Sequence, residues 1–247
     1  MGTSAPEFLV TANAAFRDMA DISLSNVVGS NIFNLGFILG LMAMIRPLPT
    51  SRTLVFRDGL LLWLSCALIL VVALVFGVLD RWFGIVLLGL LAAYLGWLFY
   101  KRKPLPGEPD IEHREATKWD YPKLAAGFVA IALGGHFMVD AASSLAVALG
   151  VSRWVVGVTI VAAGTSLPEL VTCLAASVKG RNSMLLGNLI GSDFFNFAGV
   201  LGLTCVLRPL TVAPEAAANL VTLVAMVALV LFFMRTGWRV NRTEGAA

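Results

Sequence analysis

The sequence Gly-Thr-Ser-Ala-Pro-Glu at residues 2–7 recurs as Gly-Thr-Ser-Leu-Pro-Glu at residues 164–169, and this repetition decides the fold. Residues 2–48 align with residues 164–210 without a gap, at a constant offset of 162, and eighteen of the forty-seven aligned positions are identical. The second shared block, Asn-x-x-Gly-Ser-x-x-Phe-Asn, covers residues 26–34 and 188–196. The chain therefore contains an internal repeat.

The composition indicates that lipid surrounds this repeat. The sequence is 58% hydrophobic and 13% charged, whereas soluble domains carry about 25% charged residues. A span needs roughly 20 apolar residues. The sequence predicts a partial helix near Pro6–Met19 and spans near Ser23–Ile45, Leu54–Phe76, Phe83–Tyr100, Tyr121–Leu149, Arg153–Val178, Met184–Leu207 and Ala213–Met234.

The basic residues predict how the spans are oriented. When successive loops are assigned to alternate sides, only Arg17, Arg81, Arg153 and Arg208 fall on one side, and the other fourteen of the 18 Lys and Arg residues fall on the opposite, cytoplasmic side. Five spans separate equivalent points of the two copies, so the copies cross the membrane in opposite directions. Inverted repeats with interrupted helices are typical of secondary transporters, whose sites form near the membrane midplane.

One long polar stretch divides the copies. We expect residues 1–101 to form the first repeat, residues 102–120 a short cytoplasmic linker, and residues 121–247 the second repeat. The predicted fold class is thus all-α membrane, an inverted-repeat polytopic helical transporter.

The Ser-x-Pro-Glu motif has a local interpretation and a functional one. Ser4 and Ser166 can cap a helix whose first turn holds the proline, with Glu7 and Glu169 folding back as in a capping box. In a membrane, however, a carboxylate costs at least about 2.5 kcal/mol and normally marks an ion path or a paired charge. Two carboxylates that meet at a pseudo-twofold axis repel each other, and a cation between them removes that penalty.

The surrounding side chains favour a particular class of cation. Hydroxyl, amide and main-chain oxygens are hard ligands, which suit calcium or sodium better than zinc or copper. Two negative charges balance one divalent ion or a few sodium ions, but they do not balance calcium and sodium bound at the same time. If both ions compete for the same oxygens, one must leave before the other binds, which gives antiport. Asp193 replaces the Asn expected from Asn31 and adds a third acid. It is either a ligand or proton carrier, or a partner that supports the nearer ligands Asn34 and Asn196.

Other classes of function are less compatible with the sequence. The net charge of +3 is small, and the basic residues lie in short clusters between spans, so we expect no nucleic-acid partner. Cys66, Cys173 and Cys205 lie in apolar segments without paired spacing, which argues against a disulfide framework or a zinc site. We expect no enzyme activity and no organic cofactor.

The paired motifs resemble the α-repeats of the calcium/cation antiporter superfamily, in its sodium/calcium exchanger branch, with prokaryotic members the most similar. The resemblance implies a ten-helix exchanger fold with a central site on helices 2, 3, 7 and 8. The metal ligands that it implies are Thr3, Ser4, Glu7, Ser30, Asn34, Thr165, Ser166, Glu169, Ser192 and Asn196. Asp193 departs from the usual Asn and leaves the coupling ion open.

The repeat symmetry also predicts elements outside this sequence. The second copy is preceded by the helix Tyr121–Leu149 and the half-helix Arg153–Ala163, whereas only Met1 precedes Gly2. Residues 239–247 resemble the approach to the helix that begins near Phe83. The expectation is an exchanger fold that lacks helix 1, the first half of helix 2, and helix 10.

The predicted function is exchange of calcium for sodium across a membrane, with Ca²⁺ and Na⁺ as the transported ions. Two alternatives remain open: proton-coupled antiport of calcium or another cation, and a membrane fragment that does not transport. The predicted location is a prokaryotic cytoplasmic membrane, with the lipid bilayer and small inorganic cations as partners. Homo-oligomer formation is left open.

Overall fold

The apolar runs of the sequence form helices, because a backbone in lipid must satisfy its hydrogen bonds within its own segment. A computed structural model of the protein describes residues 3–101, 117–180 and 182–247. Its α-helices are α1 (Ala5–Phe16), α2 (Ala20–Ile32), α3 (Leu39–Ile45), α4 (Leu60–Phe76), α5 (Arg81–Tyr100), α6 (Asp120–Leu149), α7 (Arg153–Val156), α8 (Ala162–Thr165), α9 (Leu167–Val178), α10 (Asn182–Phe195), α11 (Gly202–Leu207), α12 (Pro214–Arg235) and α13 (Arg242–Gly245).

Several of these helices join into segments long enough to cross a membrane. Among the described residues, five helices have the required length and hydropathy, and a sixth span results if the bent pair Arg153–Thr165 and Leu167–Val178 counts as one. The five are Ile22–Ile45, Leu54–Phe76, Arg81–Tyr100, Leu185–Leu207 and Glu215–Arg235. The all-α membrane class is confirmed. Most of the predicted linker, residues 102–116, lies outside the described residues, and the repeat boundaries stay predictions.

π-Helical segments lie within the spans, a feature that the sequence did not predict. They are Phe33–Ile38, Leu54–Gly59, Gly157–Val161 and Asn196–Leu201. Phe33–Ile38 lies between α2 and α3, and Asn196–Leu201 lies between α10 and α11, at nearly equivalent positions of the two repeats. Each begins at or next to an asparagine that the two copies of the motif share, Asn34 or Asn196. Such π-segments are frequent at functional sites.

Two short antiparallel sheets join the repeats at opposite ends of the bundle. β1 (Leu48–Pro49) pairs with β4 (Arg239–Val240), and β2 (Val78–Leu79) pairs with β3 (Leu210–Thr211). The distribution of basic residues predicts the β1 and β4 segments on the cytoplasmic side and the other two segments outside. Both pairings are compatible with that assignment, as is the ion pair between the outside residues Asp18 and Arg208.

Close helix contacts also follow the repeat. A Cβ atom added to Gly84 in α5 would lie 2.6 Å from the main-chain oxygen of Gly202 in α11. A Cβ atom added to Gly245 in α13 would lie 2.8 Å from the main-chain oxygen of Gly40 in α3, the repeat counterpart of Gly202. The α13 turn therefore packs on α3 much as α5 packs on α11.

The spans that carry the repeated motifs lie at the centre of the bundle. In the segment Leu185–Leu207, 78% of the most apolar window is buried by protein, whereas the value for Arg81–Tyr100 is 17%. Gly29 allows α2 to approach the π-helical segment Gly157–Val161 closely, since an added Cβ atom would lie 2.5 Å from the main-chain oxygen of Val158. The polar side chains of the motifs are therefore held in the protein interior, away from lipid.

Candidate cation-binding site

Two helix starts bring the predicted carboxylates into the interior. Ser4 precedes α1 and Ser166 precedes α9, each with φ near −85° (−84° and −86°), and a proline occupies the first turn of both helices. The second break bends its span by 42°. Glu7 and Glu169 lie in these first turns and have no exposed surface. The motif thus interrupts each span and places one glutamate at the break.

The serines of the motif bond across the repeats and do not cap their own helices. Ser166 Oγ donates to Glu7 Oε1 at 3.2 Å, and Ser4 Oγ donates to Glu169 Oε1 at 3.1 Å. Ser192 Oγ also donates to Glu169 Oε1, at 2.8 Å, and lies 2.5 Å from Ser4 Oγ. Neither helix start has a side-chain cap hydrogen bond. The capping interpretation of Ser4 and Ser166 is therefore wrong, because each hydroxyl is used by the glutamate of the other repeat.

Side-chain amides from the two repeats form a second layer of contacts. Asn34 Nδ2 donates to Asp193 Oδ1 at 2.8 Å, and Asn196 Nδ2 donates to Asn31 Oδ1 at 3.1 Å. Asn196 Nδ2 also lies 3.4 Å from Ser30 Oγ, and Asn31 Nδ2 donates to the main-chain oxygen of Asp193 at 3.2 Å. Asn31 and Asp193 occupy equivalent positions of the two repeats. Each therefore contacts side chains of the opposite repeat.

These hydrogen bonds leave a set of buried oxygens without partners. Within the described residues, the unpartnered atoms here are Thr3 Oγ1, Glu7 Oε2, Asn34 Oδ1, Glu169 Oε2, Asp193 Oδ2 and Asn196 Oδ1. A buried polar group without a partner costs about 1–3 kcal/mol, and more when it is charged. Both repeats contribute to these six oxygens, and a cation bound among them would remove the cost of leaving them without partners.

The structure brings most of the predicted site residues into one network. Ser4, Glu7, Ser30, Asn34, Ser166, Glu169, Ser192, Asp193 and Asn196 are all buried and connected to the opposite repeat by the hydrogen bonds above. Thr165 is buried too and reaches Asn26 of the first repeat at 3.2 Å. Thr3 is partly exposed, and no hydrogen bond connects its hydroxyl to the network.

Two network members were absent from the predicted ligand set. Asn31 accepts from Asn196, and Asn26 contacts both Thr165 and α1. Asn26 recurs as Asn188 in the repeated block Asn-x-x-Gly-Ser-x-x-Phe-Asn, and this recurrence was a signal for it. Asn31 stands at a variable position of the block, opposite Asp193. Cys66, Cys173 and Cys205 are buried free thiols.

The donor set is one of hydroxyl, amide and carboxylate oxygens. In the described part of the chain, no three His, Cys, Asp or Glu side chains are grouped so that they could hold a metal ion. Hydroxyl and amide oxygens must therefore supply much of any coordination, as they do for hard cations.

Comparison with known proteins shows the family of the chain. The family model described as sodium/calcium exchanger protein matches residues 1–100 and 123–247. The chain belongs to the sodium/calcium exchanger family. The sodium/calcium exchanger MaX1 of Methanosarcina acetivorans is 31% identical to this chain. The alignment covers 99% of this chain and 82% of MaX1.

A second sequence relative and a solved structure also match nearly the whole chain. The inner membrane protein YrbG of Escherichia coli is 31% identical to this chain. The alignment covers 99% of this chain and 78% of YrbG. A solved structure of the sodium-calcium exchanger NCX_Mj, soaked with sodium and strontium ions, superposes with a TM-score of 0.74 at 32% identity. It matches 99% of this chain and 79% of that chain. The exchanger fold predicted from the repeats is confirmed.

Proposed function

We propose that this chain exchanges calcium for sodium across the membrane, with both ions competing for the central site. The observation that carries the proposal is the pair of glutamates, one from each repeat, that are fully buried and each keep one oxygen unpartnered. Each uses its other oxygen to accept from a serine of the opposite repeat. The membership of the sodium/calcium exchanger family supports the same function.

The unpartnered oxygens fit the coordination chemistry of the proposed ions. Calcium binds six to eight oxygen ligands and accepts carboxylate, amide and hydroxyl groups together. We assign Thr3, Ser4, Glu7, Ser30, Asn34, Thr165, Ser166, Glu169, Ser192, Asp193 and Asn196 as the residues that bind the transported ions or hold those ligands. The unpartnered amide oxygens of Asn34 and Asn196 support their place among the direct ligands.

The charge of the site supports exchange over cotransport. With Glu7 and Glu169 ionised, two negative charges lie in an interior that excludes water. One Ca²⁺ neutralises both, and a few Na⁺ ions do the same, but full loads of both ions would leave a large excess of buried positive charge. Because the oxygens are shared, one ion leaves as the other binds.

The role of Asp193 bears on the rival coupling to protons. Asp193 accepts from Asn34 through Oδ1 and keeps Oδ2 unpartnered, so the side chain has one oxygen available for a cation or a proton. We assign it to the cation site through the layer of Asn34 and Asn196, whose amide oxygens are free, and not to a three-acid cluster with Glu7 and Glu169. A proton-coupled exchanger would use this carboxyl as its carrier.

The experiment that separates these functions measures calcium uptake into inverted membrane vesicles. A sodium gradient at constant pH should drive uptake, and a pH gradient without sodium should not. Uptake that follows the pH gradient and ignores sodium would reject sodium coupling. Vesicles from cells that carry an empty vector give the background.

We place the protein in a prokaryotic cytoplasmic membrane as a multi-pass protein. The predicted excess of basic residues on one side supports the orientation, and the similarity to a bacterial protein named for the inner membrane supports the location. Self-association stays a prediction.

A further inference from the structure

Asn26 has a role that the set of direct ligands does not include. Its side chain lies in α2, has no exposed surface, and bonds to two other helices. Nδ2 donates to Thr11 Oγ1 at 3.0 Å and lies 3.4 Å from the main-chain oxygen of Glu7, both in α1. Oδ1 accepts from Thr165 Oγ1 at 3.2 Å, at the end of α8. One amide therefore connects α1 and α8, the elements that carry Glu7 and Thr165.

The contacts in α1 fix the direction in which this amide points. An amide side chain has a donor end and an acceptor end, and the network around it determines which end faces which way. Thr11 and the Glu7 main chain supply acceptors for the nitrogen, so the oxygen is turned toward Thr165. Thr11 is held in place in turn, because Ser23 Oγ donates to its main-chain oxygen at 3.0 Å.

This orientation matters for the chemistry of Thr165. A hydroxyl that binds a cation must present a lone pair to the ion and donate its proton elsewhere. Asn26 Oδ1 is such a proton acceptor, supplied by the opposite repeat. The main-chain oxygen of Ala162, 3.1 Å away, is the alternative acceptor within the helix of Thr165 itself.

The second repeat has only a weaker and incomplete counterpart of this arrangement. The counterparts of Asn26, Thr11 and Thr165 are Asn188, Cys173 and Thr3. A thiol is a weaker hydrogen-bond partner than a hydroxyl, so the contact of Cys173 with Asn188 holds that amide less firmly than Thr11 holds Asn26. Among the described residues, Thr3 Oγ1 lacks a hydrogen-bond partner, so nothing takes the proton of its hydroxyl as Asn26 does for Thr165. Thr165 is thus oriented by its neighbours, whereas Thr3 is not.

We propose that Asn26, held by Thr11, is a positioning residue that turns the hydroxyl oxygen of Thr165 toward the transported cation. The proposal rests on the proposed cation site and adds an asymmetry to it: the α8 half of the site is preorganised by a hydrogen-bond chain, and the half at Thr3 is not. Partners of this kind, which orient a metal ligand without touching the metal, typically change affinity about 10–100-fold.

The test is a double-mutant cycle between Asn26→Leu and Thr165→Val, read by calorimetric Ca²⁺ binding to the full chain and by the half-saturating Ca²⁺ concentration of vesicle uptake. We expect Asn26→Leu to weaken Ca²⁺ binding about tenfold, because Ala162 remains as a second acceptor. In the Thr165→Val background the same change should have almost no effect, since the hydroxyl that it orients is gone. The maximal rate should change less than the affinity.

Variants at the neighbouring position supply the controls. Thr11→Val removes the acceptor that fixes Asn26 and should weaken Ca²⁺ binding in the same direction, whereas Thr11→Ser keeps that acceptor and should restore the affinity. Ser65→Ala removes a buried hydroxyl in α4 that donates to the main-chain oxygen of Leu61, outside this hydrogen-bond chain, and should leave affinity unchanged. If Asn26→Leu does not fold, the cycle is run with Thr11→Val.

Two outcomes would overturn the positioning role. One is full additivity of the two changes, which would mean that Asn26 and Thr165 act independently. The other is a loss of maximal rate with unchanged Ca²⁺ affinity. Failure of the proposed exchange function is distinguishable, because it would appear as wild-type protein without sodium-driven uptake, whatever the cycle gives.

Discussion

Replacement of Glu169 by Gln tests the charge on which the proposed site depends. Glu169 Oε1 accepts from Ser4 and Ser192, and Oε2 has no partner. Glutamine has nearly the same size and retains one carbonyl oxygen for the two serines. It puts an NH₂ group, which cannot bind a cation, in place of the free oxygen. The change therefore removes one charge and one ligand with little change in packing.

The magnitude follows from the burial of the carboxylate. Removal of one partner from a buried pair of opposite charges costs about 3–5 kcal/mol. Because about 1.4 kcal/mol corresponds to a tenfold change in an equilibrium constant, we expect Ca²⁺ binding to weaken by about two to nearly four orders of magnitude. Sodium-driven calcium uptake should fall to background at Ca²⁺ concentrations that saturate the wild type.

The same substitution should have the opposite effect on the ion-free protein. Without a cation, Glu7 and Glu169 place two acids in one interior, and the glutamine removes one of them. The midpoint of thermal unfolding in calcium-free and sodium-free detergent solution should therefore rise relative to the wild type. Added Ca²⁺ should raise the midpoint of the wild type and leave that of the variant unchanged, since only bound ions stabilise the folded state.

The matched control is Glu215→Gln, because Glu215 is an exposed acid in the first turn of α12. It should show wild-type uptake and a wild-type response to Ca²⁺. If Glu169→Gln exchanged calcium for sodium as the wild type does, with the same affinity, the reasoning that a cation joins the two buried acids would be refuted.

Two further predictions use the same assays. Asp193→Asn keeps an oxygen that can accept from Asn34 and removes one acid, so it should fold normally and weaken Ca²⁺ binding by less than Glu169→Gln does; an unchanged affinity would contradict the assignment of Asp193 to the site. Gly29→Ala places a Cβ atom 2.5 Å from the main-chain oxygen of Val158 and should cost about 1–3 kcal/mol in unfolding free energy, measured by thermal denaturation. Gly89→Ala, with no atom within 4 Å of its added Cβ, should keep or raise stability by about 0.5–1 kcal/mol, and equal losses in both variants would contradict the close helix contact.

The sequence by itself determined the fold class, the two opposed repeats and the identity of the central acids. Apolar length and basic loop residues predict spans and their direction, because lipid imposes these requirements on every segment locally. The recurrence of Ser-x-Pro-Glu singled out Glu7 and Glu169 for the same reason, since a charge within a span is costly wherever it stands.

Only the tertiary structure decided which groups meet. Ser4 could cap α1 or bond elsewhere, and the local sequence allows both. Its partner is Glu169, which lies far along the chain and reaches Ser4 only through the pseudo-twofold packing of the repeats. The π-segments beside Asn34 and Asn196 likewise have no local signal, because a single extra residue in a helical turn leaves the hydrophobic pattern almost unchanged.

The same distinction explains why Asn26 and Asn31 escaped the predicted ligand set. The recurrence of Asn26 as Asn188 marked it as special but did not say what it contacts, and Asn31, opposite Asp193, does not recur. Asn31 finds Asn196, and Asn26 finds Thr165, in the opposite repeat. Hydrogen bonds between distant segments depend on how helices are placed in three dimensions, and that placement results from packing of the whole bundle.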